Sequence, residues 1–91
     1  MVPEEEDVDG VVPNPVRAVV EVVARALVDH PDRVRVTESE RRGVTFLSLT
    51  TAPGDMGKII GRQGRTAAAL RTLAALTAEK HGLRTQLDIR D

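Results

Sequence analysis

The sequence predicts a single α+β domain with the element order helix, strand, strand, helix, helix, strand. Apolar residues at helical spacing come first and a period-two alternation follows. A long alanine- and leucine-rich helical segment then precedes a final alternating segment. A chain of 91 residues has room for one hydrophobic core and not for a second. The 41% of hydrophobic and 30% of charged residues are typical of a globular chain.

The net charge of −1 is unevenly distributed along the chain. The first ten residues carry five carboxylates and no basic side chain, whereas the rest has 13 basic and 9 acidic residues. We therefore expect residues 1–13 to form a flexible acidic leader and residues 14–91 to form the folded domain. No apolar run approaches a membrane span and no secretory signal opens the chain, so we predict a cytoplasmic protein without a membrane partner.

Several classes of function are excluded by the residue types that are missing. Without cysteine there is no disulfide scaffold, no Cys-ligated zinc site and no thiol catalysis. Phe46 is the only aromatic residue, which argues against the base-stacking platforms of RNA-recognition motifs and OB-folds. His30 and His81 lie at predicted helix ends without a second ligand at metal spacing, so interaction with the helix dipole is favoured over metal binding. We expect no enzymatic activity, no cofactor and no small-molecule substrate.

The first helix is predicted to begin at Asn14-Pro15, an N-cap residue followed by the residue best tolerated at the first helical position. It is expected to end at His30-Pro31, because the residue before a proline disfavours the helical conformation. Its buried face is predicted from five apolar residues at helical spacing: Val16, Val19, Val20, Val23 and Leu27.

An antiparallel hairpin is predicted next. Residues 33–37 alternate between charged and apolar side chains, and residues 44–51 are rich in β-branched residues. The polar run Glu38 to Gly43 is expected to form the turn, and Pro53-Gly54 to end the second strand.

Two helices and a third strand complete the pattern. A short helix is predicted over residues 55–60 and a long one over residues 65–81, with Gly82 as its C-terminal stop. The alanines and leucines of residues 67–78 are expected to form the buried face of this helix rather than a surface for a partner, although a dimer interface is not excluded. Alternation over residues 83–90 predicts the last strand.

The informative segment is the pair of glycines between the two helices, Gly61-Arg62-Gln63-Gly64, called the GXXG loop below. Glycines at both ends allow left-handed backbone and a close approach to a sugar-phosphate chain. The following helix directs unpaired N–H groups at the same place. Three basic side chains surround the loop, and two isoleucines precede it as a candidate surface for bases: Lys58, Arg62, Arg65, Ile59 and Ile60.

An Ile-Gly-x-x-Gly sequence between two helices, in this element order, resembles a KH domain of the type II topology. The segment DMGKIIGRQGRTAAALRTLAAL on so short a chain is similar to the small bacterial single-KH-domain RNA-binding proteins of the KhpA (YlqC) type. The resemblance covers residues 14–90. It implies a three-stranded sheet with three helices packed on one face, and an antiparallel third strand.

The resemblance also implies a function and a set of site residues. Members of the family are similar to RNA chaperones, and a KH domain holds about four nucleotides of single-stranded RNA beside its GXXG loop. Homodimers and pairing with a second KH protein of the KhpB (Jag) type are implied by resemblance alone. Carried over to this chain, the RNA-binding residues are Lys58, Ile59, Ile60, Gly61, Arg62, Gln63, Gly64, Arg65 and Thr66.

Alternatives stay open at this point. The domain could be a protein-interaction or dimerisation module in which RNA binding is secondary, although the charged GXXG loop favours RNA. Single-stranded DNA differs only in contacts that depend on the 2′-hydroxyl. The arginine pairs Arg33/Arg35 and Arg41/Arg42 could extend a basic footprint, but a solvated hairpin face is the simpler interpretation.

Overall fold

The computed structural model describes residues 14–89, so the predicted acidic leader lies outside the described residues. The predicted element order is confirmed, with short 3₁₀ turns at Pro31–Arg33 and Arg62–Gly64. The helices and strands are α1 (Pro15–Leu27), β1 (Arg35–Arg41), β2 (Val44–Thr50), α2 (Met56–Ile60), α3 (Arg65–Lys80) and β3 (Thr85–Ile89).

The three strands form one sheet in the order β1-β2-β3. β1 and β2 are antiparallel, with Val36 opposite Leu49, as the sequence predicted. β3 runs parallel to β2, with Leu87 beside Leu47, so the expected antiparallel third strand was wrong. The physical reason is the connection. Residues 51–84 carry both helices across one face of the sheet, and such a crossover returns the chain to the end where β2 began.

The hairpin turn is shorter than the sequence predicted. β1 continues through Arg41, and only Arg42 and Gly43 connect the strands. Both have positive φ, 52° and 79°, which is the geometry that closes a hairpin with two residues. The prediction of a turn from Glu38 onward was wrong because polar side chains are compatible with an edge strand. Glu38 is an example, since its carboxylate lies 3.4 Å from the Arg17 guanidinium of α1 while its backbone belongs to β1.

α1 begins where the sequence predicted and ends earlier. The Asn14 side chain accepts hydrogen bonds from the backbone N–H groups of Val16 and Arg17, which confirms the N-cap. The chain leaves the helical conformation at Val28, two residues before His30. Val28 therefore turns into the core in place of Leu27, which is 38% exposed and was wrongly predicted to be buried.

One hydrophobic core joins the inner face of the sheet to all three helices. α3 contributes a stripe of one leucine and three alanines, and the small alanines allow close packing. Leu73 and Leu76 of the same helix are exposed, so the predicted core face holds for only part of residues 67–78. The fully buried large side chains are Leu47, Leu49, Ile59, Leu70, Val16, Val20 and Val34. Within residues 14–89, no helix is long and apolar enough to cross a membrane.

We predict that Leu70→Ala lowers the free energy of unfolding by about 2–5 kcal/mol, because it empties space in a close-packed core. Leu76→Ala on the exposed face of the same helix is the matched control and should stay within about 0.5 kcal/mol of wild type. Urea unfolding followed by circular dichroism measures both, since the chain has no Trp or Tyr. Equal losses of stability in the two variants would contradict the assigned packing of α3.

Candidate nucleic-acid interface

The GXXG loop follows α2, a helix of only five residues that is stabilised by contacts with the rest of the domain. Met56 and Ile59 of α2 are buried in the core. Isolated helices of this length are unstable in water, so tertiary contacts must set the direction of α2. They also fix the point at which the loop leaves it.

A buried carboxylate provides a second anchor at the start of α2. Asp55 is 3% exposed, and its Oδ2 accepts a hydrogen bond of 3.0 Å from the backbone N–H of His30. The Nδ1 atom of His30 lies 3.1 Å from the same oxygen. Asp55 therefore joins the segment between α1 and β1 to the first residue of α2.

The pKa of Asp55 is lower than its ordinary value of 3.8. Burial by itself raises the pKa of this carboxyl group. Hydrogen bonds from the His30 ring and from the backbone of His30 and Asp29 stabilise the ionised form and outweigh burial. The anchor therefore consists of an ionised carboxylate under neutral conditions.

The GXXG loop has a backbone of unusual conformation. Gly61 has φ 75° and ψ 174°, an extended conformation with positive φ that L residues avoid. Gln63 and Gly64 have φ 57° and 72°, both in the left-handed region. The Gly64 N–H donates to the Gly61 carbonyl at 3.1 Å, which closes the turn. The sequence predicted a left-handed Gly61, and the structure gives it positive φ with extended ψ.

The two glycines are required for different reasons. A Cβ built on Gly61 would lie 2.7 Å from the Cβ of Thr66 and would collide with the Thr66 hydroxyl oxygen. A Cβ on Gly64 would have no neighbour within 4 Å, so only its positive φ favours glycine there. The loop thus packs directly against the first turn of α3.

The start of α3 faces this loop without a side-chain cap. The Arg65 N–H is satisfied by the Arg62 carbonyl within the 3₁₀ turn. The remaining N–H groups of a first helical turn have no acceptor within their own helix, and they carry partial positive charge. α1 differs, since the Asn14 side chain occupies its N-terminus.

Three basic side chains surround the loop, and all three are exposed. Within residues 14–89, neither Arg62 nor Arg65 has a carboxylate at ion-pairing distance. Lys58 differs, because its Nζ atom lies 3.2 Å from the Asp29 carboxylate. The arrangement can attract an anion by full charges and hold it by backbone donors.

The structure places the predicted site residues together around one short segment, but it gives them different roles. Ile59 is fully buried in the hydrophobic core, so it has no free surface for a base. Ile60 is 36% exposed and is the isoleucine available to a ligand. Thr66 is half-buried against Gly61.

Three residues of this region were missed as contributors by sequence reasoning: Asp29, His30 and Asp55. His30 was predicted to meet the dipole of the first helix, but it lies beyond the end of α1 and contacts Asp55. An aspartate directly before a helix is an N-cap signal, yet the Asp55 side chain makes no cap hydrogen bond to α2. No sequence signal relates Asp55 to a residue 25 positions away.

Other surface features lie away from this loop. A cavity of about 540 Å³ opens on the sheet face opposite the helices, between Phe46, Ser39, Ser48 and Gln86. The Arg41 guanidinium lies over the Phe46 ring at 6.0 Å. A second cavity, of about 450 Å³, lies between α3 and Leu83. Neither is lined by a residue of the GXXG loop, and residues 14–89 contain no cluster of three or more potential metal ligands.

The αββααβ order and the GXXG loop between α2 and α3 are those of a type II KH domain. The family model described as KhpA/KhpB, KH domain, matches residues 17–89. The chain belongs to this family.

Relatives of similar length support the assignment. One from Halalkalibacterium halodurans is 49% identical over 75 residues, covering 82% of this chain and 99% of the relative. Others from Treponema pallidum and Aquifex aeolicus are 48% and 45% identical, covering 76% and 78% of this chain and 86% and 90% of theirs. All three are named RNA-binding protein KhpA.

We predict that Asp55→Asn lowers stability at neutral pH, and that the difference from wild type shrinks as the pH falls. The lowered pKa means that the stabilisation is complete above 3.8 and is lost as the pH falls through the folded-state value. Unfolding by urea between about pH 5 and about pH 2 measures the difference. Asp32→Asn, at an exposed aspartate of the same segment, is the control. A constant difference across this range would contradict the role of the ionised carboxylate.

We predict that Gly61→Ala destabilises the domain more than Gly64→Ala. The positive φ alone costs about 1–2 kcal/mol, and this is the whole expected cost at Gly64. Gly61→Ala adds a collision with Thr66, worth about 1–3 kcal/mol more. Urea midpoints of the two variants provide the comparison, and equal costs would mean that Gly61 and Thr66 do not pack as described.

Proposed function

We propose that this protein binds single-stranded RNA without catalysing a reaction, and that the GXXG loop with the start of α3 is the binding site. The observation that carries the proposal is the coincidence of three features at one place. Gly61 brings backbone close to the start of α3, no side chain caps that helix, and Arg62 and Arg65 have no carboxylate partner within residues 14–89. The names of the relatives and the family match support RNA as the ligand.

Phosphate binding is the first part of the proposed mechanism. The sugar-phosphate chain lies along residues 61–66, where the glycines allow close approach. Backbone N–H groups and the helix dipole hold the phosphate oxygens, while Lys58, Arg62 and Arg65 add charge-assisted contacts. These contacts position the RNA and carry no sequence information.

Base binding is the second part. In the proposal, bases lie against an aliphatic surface that includes Ile60, and Ile59 packs beneath it. The only aromatic residue, Phe46, lies on the sheet face opposite the helices with Arg41 over its ring. Stacking on aromatic side chains therefore contributes nothing at the proposed site, which predicts weak binding and little sequence preference.

A site of this size gains affinity when it is used together with a second one. Because two sites bind more tightly than one, we propose that the protein acts as a homodimer or in a complex with a second KH protein of the KhpB type. Action as an RNA chaperone belongs to the same proposal. The absence of catalysis and the cytoplasmic location stay predictions.

One observation favours the second candidate function, a protein-interaction module. Leu73 and Leu76 are 44% and 57% exposed on the outer face of α3, next to the small side chain of Ala69. Exposed leucines at helical spacing are typical of a helix that packs against a partner. In this interpretation the KH fold serves assembly and RNA binding is secondary.

RNA affinity tests the proposal with the double variant Arg62→Glu/Arg65→Glu. A labelled single-stranded RNA is titrated in fluorescence anisotropy across a salt series, with single-stranded DNA of the same sequence for comparison. We expect more than tenfold weaker binding, since a hydrogen bond to a charged group is worth about 1.5–3 kcal/mol. The slope of log K against the logarithm of the salt concentration should become less negative by about 0.7 for each phosphate that the variant no longer neutralises.

The matched control is Arg41→Glu/Arg42→Glu, which makes the same charge change at the hairpin turn. It should bind nearly as wild type does. Glutamate at position 65 is favoured at a helix N-terminus, so the loop variant should fold, which circular dichroism checks. If the two double variants weaken binding equally, the hairpin arginines belong to the footprint. If the loop variant binds as wild type does, or no protein binds, the protein-interaction function replaces this one.

A further inference from the structure

The ion pair between Asp29 and Lys58 joins two segments that are far apart in sequence. Asp29 follows α1, Lys58 lies on α2, and the Asp29 carboxylate lies 3.2 Å from the Lys58 ammonium. Both side chains are substantially exposed, at 67% and 44%. An isolated pair of this kind contributes little to stability, because water and salt screen it. The pair is important because Lys58 is part of the proposed phosphate site, and Asp29 is bound to it there.

The position of Asp29 near Lys58 does not depend on their ion pair alone, because the neighbouring residue His30 joins the same two segments. Asp55, three residues before Lys58, accepts a hydrogen bond from the backbone N–H of His30, the residue that follows Asp29. Asp55 is also joined to the His30 ring. The segment that carries Asp29 is therefore attached to the start of α2. This attachment reduces the conformational entropy that is given up when the two charges meet.

We propose that Asp29 competes with RNA phosphate for Lys58, so that it weakens RNA binding and shortens the lifetime of the complex. This inference rests on the proposed function. When RNA binds, Lys58 either gives up the Asp29 carboxylate or shares its donors between carboxylate and phosphate, whereas Arg62 and Arg65 exchange only water and ions. Within residues 14–89, Asp29 is the carboxylate paired with a basic residue of the site.

Simultaneous binding does not remove the competition. The ammonium of Lys58 has three donors and can contact both anions. A phosphate at hydrogen-bond distance from Nζ would then lie within about 6 Å of the Asp29 carboxylate. Like charges at that separation repel each other, so one contact weakens the other.

A double-mutant cycle tests the inference in the full-length chain, with Asp29→Asn, Lys58→Gln and the combination of the two. The probe is the labelled single-stranded RNA used above. Asp29→Asn should bind about 2–5-fold more tightly than wild type, from the strength of an exposed ion pair. The gain should come mainly from slower dissociation, measured by competition with unlabelled RNA. Lys58→Gln should bind more weakly, and in that background Asp29→Asn should have no effect.

The matched control is Asp32→Asn, which removes the same charge from an exposed residue of the same segment. It should change the affinity much less than Asp29→Asn does. An equal gain in the control, or an equal gain in the Lys58→Gln background, would mean that only net charge matters and would overturn the inference. Weaker binding by Asp29→Asn would also overturn it, because Asp29 would then position Lys58 for RNA.

Failure of the proposed function gives a different result. If Arg62→Glu/Arg65→Glu binds RNA as tightly as wild type does, the proposed site is wrong and this inference fails with it. If that variant no longer binds while Asp29→Asn leaves affinity unchanged, only the competition is wrong.

Discussion

The candidate site depends on the tertiary contacts that fix α2, because a helix of five residues is not stable by itself. Met56 and Ile59 attach it to the core, and the buried carboxylate of Asp55 attaches its start to the segment after α1. The chain then leaves α2 through Gly61, whose missing side chain allows contact with Thr66 on α3. These anchoring contacts are made by residues that precede the loop. The side chains of Arg62 and Gln63 in the loop itself are exposed and therefore accessible to a ligand.

The chemistry of this surface is unusual for nucleic-acid recognition, since aromatic residues contribute nothing to it. The proposed site combines a start of α3 that no side chain caps with arginines that have no carboxylate partner within residues 14–89. Such contacts recognise the repeating phosphate and not the base. Ile60 is the isoleucine of the site that is exposed, at 36%. Weak, salt-dependent and unselective binding by one domain follows, together with a need for a second domain when higher affinity is required.

The predictable features of this protein were the local ones. The cap at Asn14, the change of period at the hairpin and the two glycines of the loop each act over a few residues, and the structure contains all three. Features that depend on distant partners were missed. The direction of β3 depends on how two helices cross the sheet, and polar residues 38–41 form a strand because β2 pairs with them. The contacts of Asp55 with His30 and of Asp29 with Lys58 join segments without any local pattern.

Backbone amide shifts would show whether residues 61–66 form the RNA-binding surface. A ¹⁵N-labelled sample is titrated with single-stranded RNA at two salt concentrations. We expect the largest shift changes on the amides of residues 61–66, and we expect these changes to decrease at the higher salt concentration. If residues 61–66 kept their shifts while Phe46, Ser48 and Gln86 on the open face of the sheet changed most, RNA would bind the sheet and not the GXXG loop.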